Sequence, residues 1–148
     1  GRDILRVGGS AVDAAIAAQM VLNLVEPQSS GIGGGAFLVH FSAKTGDIDA
    51  YDGRETAPAS ATPDMFLDRD GKPMKFYDAV VGGLSVGVPG LLRALELAHR
   101  DHGRLPWARL FEPAIRLAET GFTVSPPLHE MIAGDKHLRT VRPARDFF

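Results

Sequence analysis

From Ala11 to Val25 apolar residues occupy nearly every side of a helical period, interrupted only by Asp13, Gln19 and Asn23. Ser10 stands where a side-chain oxygen can accept a first-turn N–H, and Asp13, three residues on, suits the positive end of the helix dipole. Pro27 cannot continue the turn. The pattern predicts a helix buried on most sides. Ahead of it, Gly1 to Gly9 reads as the closing turns of another helix. Beyond it, Ala36 to Ala43 (AFLVHFSA) has strand composition, Lys44-Thr-Gly-Asp47 reads as a turn, and Ile48 to Asp52 reads as a second strand. Together they predict a β-hairpin. Phe37, Val39 and Phe41 alternate with Leu38, so the first strand is expected to be covered on both faces.

Residues 53 to 83 are rich in loop signals, with Pro58, Pro63 and Pro73, and carry one short helix capped by Thr62. Leu84 to Val88 reads as a brief strand. Leu91 to His102 is helical and closes at Gly103, the position after the last turn where glycine is favoured. Trp107 to Thr120 is helical but broken or restarted at Pro113, and it ends at Gly121. Ser125 caps a last helix whose first turn tolerates Pro126 and Pro127. A helix, a hairpin and then several helices predict an α/β (α+β layered) domain.

Composition narrows the classes. The chain has 148 residues, 45% hydrophobic and 23% charged, which suffices for one domain with a core. Its net charge of -2 and the lack of a Lys/Arg run give no footprint for nucleic acid or an anionic membrane. No apolar run approaches the roughly 20 residues of a membrane span. Without cysteine there is no disulfide, thiolate metal site or Cys nucleophile. Both ends read as cut, so residues 1–148 are expected to form a single partial domain.

The candidate chemistry is sparse. Gln28-Ser-Ser-Gly-Ile-Gly-Gly-Gly35 follows a helix and precedes a strand, the reverse of a phosphate-cradling loop, and it fails the GxGxxG spacing. Glycines here let the backbone pack closely against another segment. Arg54, where the second strand ends, presents a planar fork that can hold a carboxylate by two parallel hydrogen bonds. The residues alone favour the commoner fate of such an arginine, a structural ion pair with Asp52, Glu55 or a neighbour, over the carboxylate grip. A regular continuation of the strand would place Glu55 on the side opposite Arg54. His99 and His102 have metal-compatible spacing but no evident third ligand, and they extend the Leu91/Leu92/Leu95 stripe as packing histidines. His40 lies in an apolar strand, His129 and His137 in a polar helix. Asp13 has backbone donors available at its helix start. No metal or cofactor is called for.

Several ordered blocks resemble the γ-glutamyltransferases (glutathione hydrolases): Gly8-Gly-Ser-Ala-Val-Asp-Ala-Ala15, Glu26-Pro-Gln-Ser-Ser-Gly-Ile-Gly-Gly-Gly35 and Asp52-Gly-Arg-Glu-Thr-Ala-Pro58. Gly83-Leu-Ser-Val-Gly-Val-Pro-Gly90, Gly103-Arg-Leu-Pro-Trp107 and Pro113 to Phe122 continue the likeness, which covers residues 4 to 130 or so. The resemblance implies the front part of a large subunit, truncated at both ends, in an N-terminal-nucleophile hydrolase αββα sandwich. It also implies a precursor that cleaves itself, freeing a small subunit whose N-terminal threonine attacks γ-glutamyl amides such as glutathione; its own α-amine can serve as base. The acyl group then passes to water or an amino acid.

On that resemblance Arg54 binds the substrate's α-carboxylate, and Glu55 belongs to the same block. The nucleophile is expected beyond residue 148, since Thr45, Thr56 and Thr62 are internal, so this chain alone should be inactive. Periplasmic or extracellular location is a further implication. Two alternatives stay open: a related acylase acting on glutaryl-type amides, and a degenerate, non-catalytic family member.

Overall fold

A computed structural model describes residues 1–148. The chain is mixed α and β, with seven α-helices, one 3-10 helix and a two-stranded sheet. It divides into two compact units, Gly1–Glu55 with Pro89–Ser125, and Thr56–Val88 with Pro126–Phe148.

The first unit is built around helix α2, Ala11–Val25, which follows the short helix α1, Arg2–Arg6. Ser10 and Asp13 form a capping box: the Ser10 hydroxyl accepts the Asp13 N–H, and the Asp13 carboxylate accepts the Ser10 N–H. Burial is concentrated in the first half of α2, at Val12, Asp13, Ala14, Ile16, Ala17 and Met20, whereas Leu22 is exposed. Strands β1 (Ala36–Phe41) and β2 (Ile48–Gly53) pair antiparallel, with Ala36 opposite Gly53 and His40 opposite Asp49.

Helix α4, Leu91–His102, lies against one face of the hairpin. It buries Leu91, Ala94, Leu95 and Ala98, the i, i+3, i+4, i+7 stripe of an amphipathic helix. Ala94 lies over Gly53, Asp101 accepts the Tyr51 hydroxyl at 2.9 Å, and His102 reaches Asp49. The steps match: eight helical residues rise about 12 Å, and four strand residues advance about 13 Å. Burial, the hydrogen bond to Asp101 and the charges of Asp101 and Asp49 together push the Tyr51 phenol up to about 12. The 3-10 helix Trp107–Leu110 and helix α5, Glu112–Thr120, complete the core, with Leu110 fully buried and Pro113 in the first turn of α5.

Two expectations change here. The hairpin is covered on one face only: Phe37, Val39 and Phe41 are 66%, 70% and 62% exposed, because no second layer of these 148 residues lies over them. Gly103 does end α4, but in extended rather than left-handed backbone. Its need is space, because a Cβ there would collide with the backbone and ring of His99.

The second unit is loop-rich, as its prolines demand. Its helices are α3 (Phe76–Val80), α6 (Pro126–Gly134) and α7 (Arg142–Phe147). The expected helix after Thr62 is a run of turns, and the expected strand at 84–88 reduces to one bridge between Thr56 and Val88. Leu84, Val86 and Val88 do alternate, but only Val88 forms a bridge. His137 lies beyond the end of α6, stacked on Tyr77 with ring centroids 5.1 Å apart. No helix is long and apolar enough to cross a membrane.

Candidate functional site

At the open end of the hairpin three backbones meet with no side chain between them. A Cβ on Gly53 would sit 2.6 Å from the Ala94 Cβ and 3.0 Å from the Gly90 carbonyl oxygen. A Cβ on Gly90 would strike the Gly53 carbonyl group, and one on Gly35 would come within 2.7 Å of the Gly53 oxygen and 2.8 Å of the Glu55 nitrogen. Only glycine permits such approach. The Gly34 carbonyl accepts the N–H groups of Gly90 and Leu91, both at 3.2 Å, joining the glycine loop to the start of α4. Of the loop's four glycines Gly35 takes the close-packing role expected, whereas a Cβ on Gly31 or Gly33 would meet nothing within 4 Å.

Arg54 emerges from this junction. Its backbone N–H donates to the Asp52 carboxylate at 2.9 Å, a turn that carries the chain off the strand. The Arg54 side chain is 67% exposed, and its Nε lies 3.7 Å from a Glu55 carboxylate oxygen. Sequence alternation would have separated these two side chains; they meet because regular strand geometry stops at Gly53. Such an exposed pair is weak and exchangeable, worth about 0–1 kcal/mol. The other oxygen of Glu55 lies beside Gly35. The Arg54 backbone carbonyl lies next to Gly90, so the main chain that carries the guanidinium is packed against the start of α4. A planar cation with a loosely held counter-charge makes a place where a carboxylate can displace Glu55 and be gripped by two hydrogen bonds.

The remaining candidates disperse. His99 turns inward: its Nε2 is 2.8 Å from the Leu105 carbonyl oxygen and 3.5 Å from Asp13, and Trp107 packs on it edge-on, so it is the packing histidine expected. His102, one turn later, points to the hairpin and stacks on His40, so the two α4 histidines share no site. His129 lines a cavity in the second unit. Thr45 donates to Ser42 in the hairpin turn, and Thr56 pairs with Val88. Gly53, Gly90 and the grouping of His40, Asp49 and His102 were not foreseen. The hairpin turn at 44–47 was signal enough to pair His40 with Asp49, but nothing in the sequence brings α4 to them.

The family model for gamma-glutamyltranspeptidase matches residues 1–148. The chain belongs to the gamma-glutamyltranspeptidase family. It is 46% identical over all 148 residues to the glutathione hydrolase proenzyme of Bacillus subtilis (strain 168), and it spans 25% of that protein's length. Among solved structures it superposes on Helicobacter pylori gamma-glutamyltranspeptidase with a TM-score of 0.92 at 34% identity, covering 99% of this chain and 42% of that one. A cephalosporin acylase from Bacillus halodurans is also similar, with a TM-score of 0.72 and 34% identity over 88% of this chain and 23% of that one.

Proposed function

We propose that this chain forms the carboxylate-gripping edge of an enzyme that cleaves γ-glutamyl amides such as glutathione through an acyl-enzyme, passing the γ-glutamyl group to water or an amino acid. Arg54 holds the substrate's α-carboxylate by its fork, and Glu55 occupies that fork until substrate arrives. The observation that carries the reading is the position of Arg54, an exposed guanidinium with a loose 3.7 Å partner, fixed by a backbone junction that tolerates no side chain. The attacking threonine belongs to a small subunit released by self-cleavage of the same precursor. That subunit also supplies the layer over Phe37, Val39 and Phe41, completing an αββα sandwich. The enzyme works outside the cytoplasm, in the periplasm or extracellular space.

The test is steady-state kinetics of the full-length enzyme on glutathione. Arg54→Lys keeps the charge but loses the fork, and KM is expected to rise about tenfold, with Arg54→Ala rising about a hundredfold; these correspond to about 1.4 and 2.8 kcal/mol. An unchanged KM in both variants sinks the assignment. Glutathione is compared with a glutaryl amide, which lacks the α-amine. Preference for the glutaryl amide would place the enzyme with the acylases, and no turnover of either would mark a non-catalytic member.

A further inference from the structure

The end of the hairpin opposite Arg54 gathers a second group of side chains, independent of the γ-glutamyl reading. His40 from β1, Asp49 from β2 and His102 from the last turn of α4 bring their donor atoms within 4.8 Å of one another. The Asp49 Oδ2 lies 3.8 Å from His40 Nδ1 and 3.2 Å from His102 Nε2. Both of these nitrogens are buried, and neither has a hydrogen-bond partner. Buried polar atoms are nearly always satisfied, so two orphans that lie beside one carboxylate without bonding to it call for a shared partner. The geometry points to a divalent transition-metal site, of the zinc type, on His40, Asp49 and His102.

The spacing and chemistry agree. Nitrogen and oxygen ligands about 2.0–2.2 Å from a tetrahedral zinc ion lie roughly 3.3–3.5 Å apart, and the two measured separations bracket that value. Two imidazoles and one carboxylate suit zinc, nickel or copper rather than magnesium or calcium, which prefer all-oxygen shells. The imidazoles are stacked, with centroids 3.8 Å apart and planes inclined by 22°, so their lone pairs lie in nearly parallel planes. Closing on an ion therefore rotates the rings and opens the stack. Asp49, on the exposed side, supplies the third ligand. A cleft of about 710 Å³ reaches both rings, with Lys44 and Arg104 in its wall. It gives an ion a route in and leaves a coordination position for water or a small anion, as in three-ligand zinc sites.

The experiment uses the full-length protein, stripped with a chelator and dialysed. Zinc is titrated by calorimetry, and cobalt(II) by its visible absorption. The wild type is expected to bind one ion more than His40→Gln or His102→Gln, and Asp49→Asn is expected to weaken that ion roughly tenfold or more. His129→Gln, in the second unit and outside this group, should match the wild type. Saturating zinc should raise the Tm of the wild type above that of Asp49→Asn by mass action. Asp49 is largely exposed, so its variant keeps the test valid even if a histidine variant misfolds. Equal stoichiometry and affinity in the wild type and Asp49→Asn, or no saturable binding by the wild type, overturns the site.

Discussion

Asp13 and Arg104 meet across 91 positions of chain: one oxygen of the fully buried Asp13 carboxylate accepts the Arg104 backbone N–H at 3.0 Å. The same oxygen accepts Leu105 N–H at 3.1 Å and Ser10 N–H at 2.8 Å. The start of α2 and the loop after α4 are thus pinned by one side chain. Burial alone pushes this carboxyl up, but the Ser10, Arg104 and Leu105 donors outweigh it, and the net effect holds it below the ordinary carboxylate value. With a lowered folded pKa, the stabilisation is full above the unfolded value of about 4 and is lost as pH falls through the folded one. Asp13→Ala should cost about 3 kcal/mol at pH 7, since it strands buried donors. Asp13→Asn should cost less, and its Tm deficit against the wild type should shrink as the pH is lowered from 6 towards 3. A deficit constant across that range would refute the ionised role.

Gly53→Ala and Gly90→Ala press a methyl group into backbone and should each destabilise by about 1–3 kcal/mol. Because the same backbone carries Arg54, both should also raise the KM for glutathione. A loss of Tm with an unaltered KM would separate the junction from the substrate grip.

Glu55→Gln frees the Arg54 fork while preserving side-chain shape. If Glu55 only occupies that fork, KM should fall rather than rise, by no more than about fivefold, an exposed ion pair being worth about 0–1 kcal/mol. A large rise would make Glu55 a direct substrate ligand.

Val39→Asp tests the uncovered hairpin face. If a further layer seals it in the full-length protein, the variant should lose about 2 kcal/mol or more, or fail to mature into two subunits. Native maturation and Tm would mean that this face stays open to solvent.

Much of the first unit was legible because its signals are local. The Ser10/Asp13 cap and Pro27 set the bounds of α2, and the turn at Lys44–Asp47 sets the hairpin register, including His40 opposite Asp49. The misreadings come where tertiary contact overrides local pattern. Phe37, Val39 and Phe41 record apolarity but not what covers it. Arg54 and Glu55 meet because the strand stops, an event that alternation cannot foresee. Gly103 is at a helix end for the sake of the His99 ring, which only packing reveals. The second unit was least legible, since turns and prolines specify departures from regular structure without fixing their paths. Arg54 itself drew its significance from the blocks around it, its own residue type favouring an ion pair.

The meeting of Gly35, Gly53 and Gly90 bears on how the proposed substrate grip can be re-tuned. Where backbones touch without intervening side chains, mutation has almost no room to adjust distances by small steps. Random libraries aimed at those positions should return mostly misfolded protein. Variation in donor choice would have to be sought among residues that face the open guanidinium, leaving its seat intact.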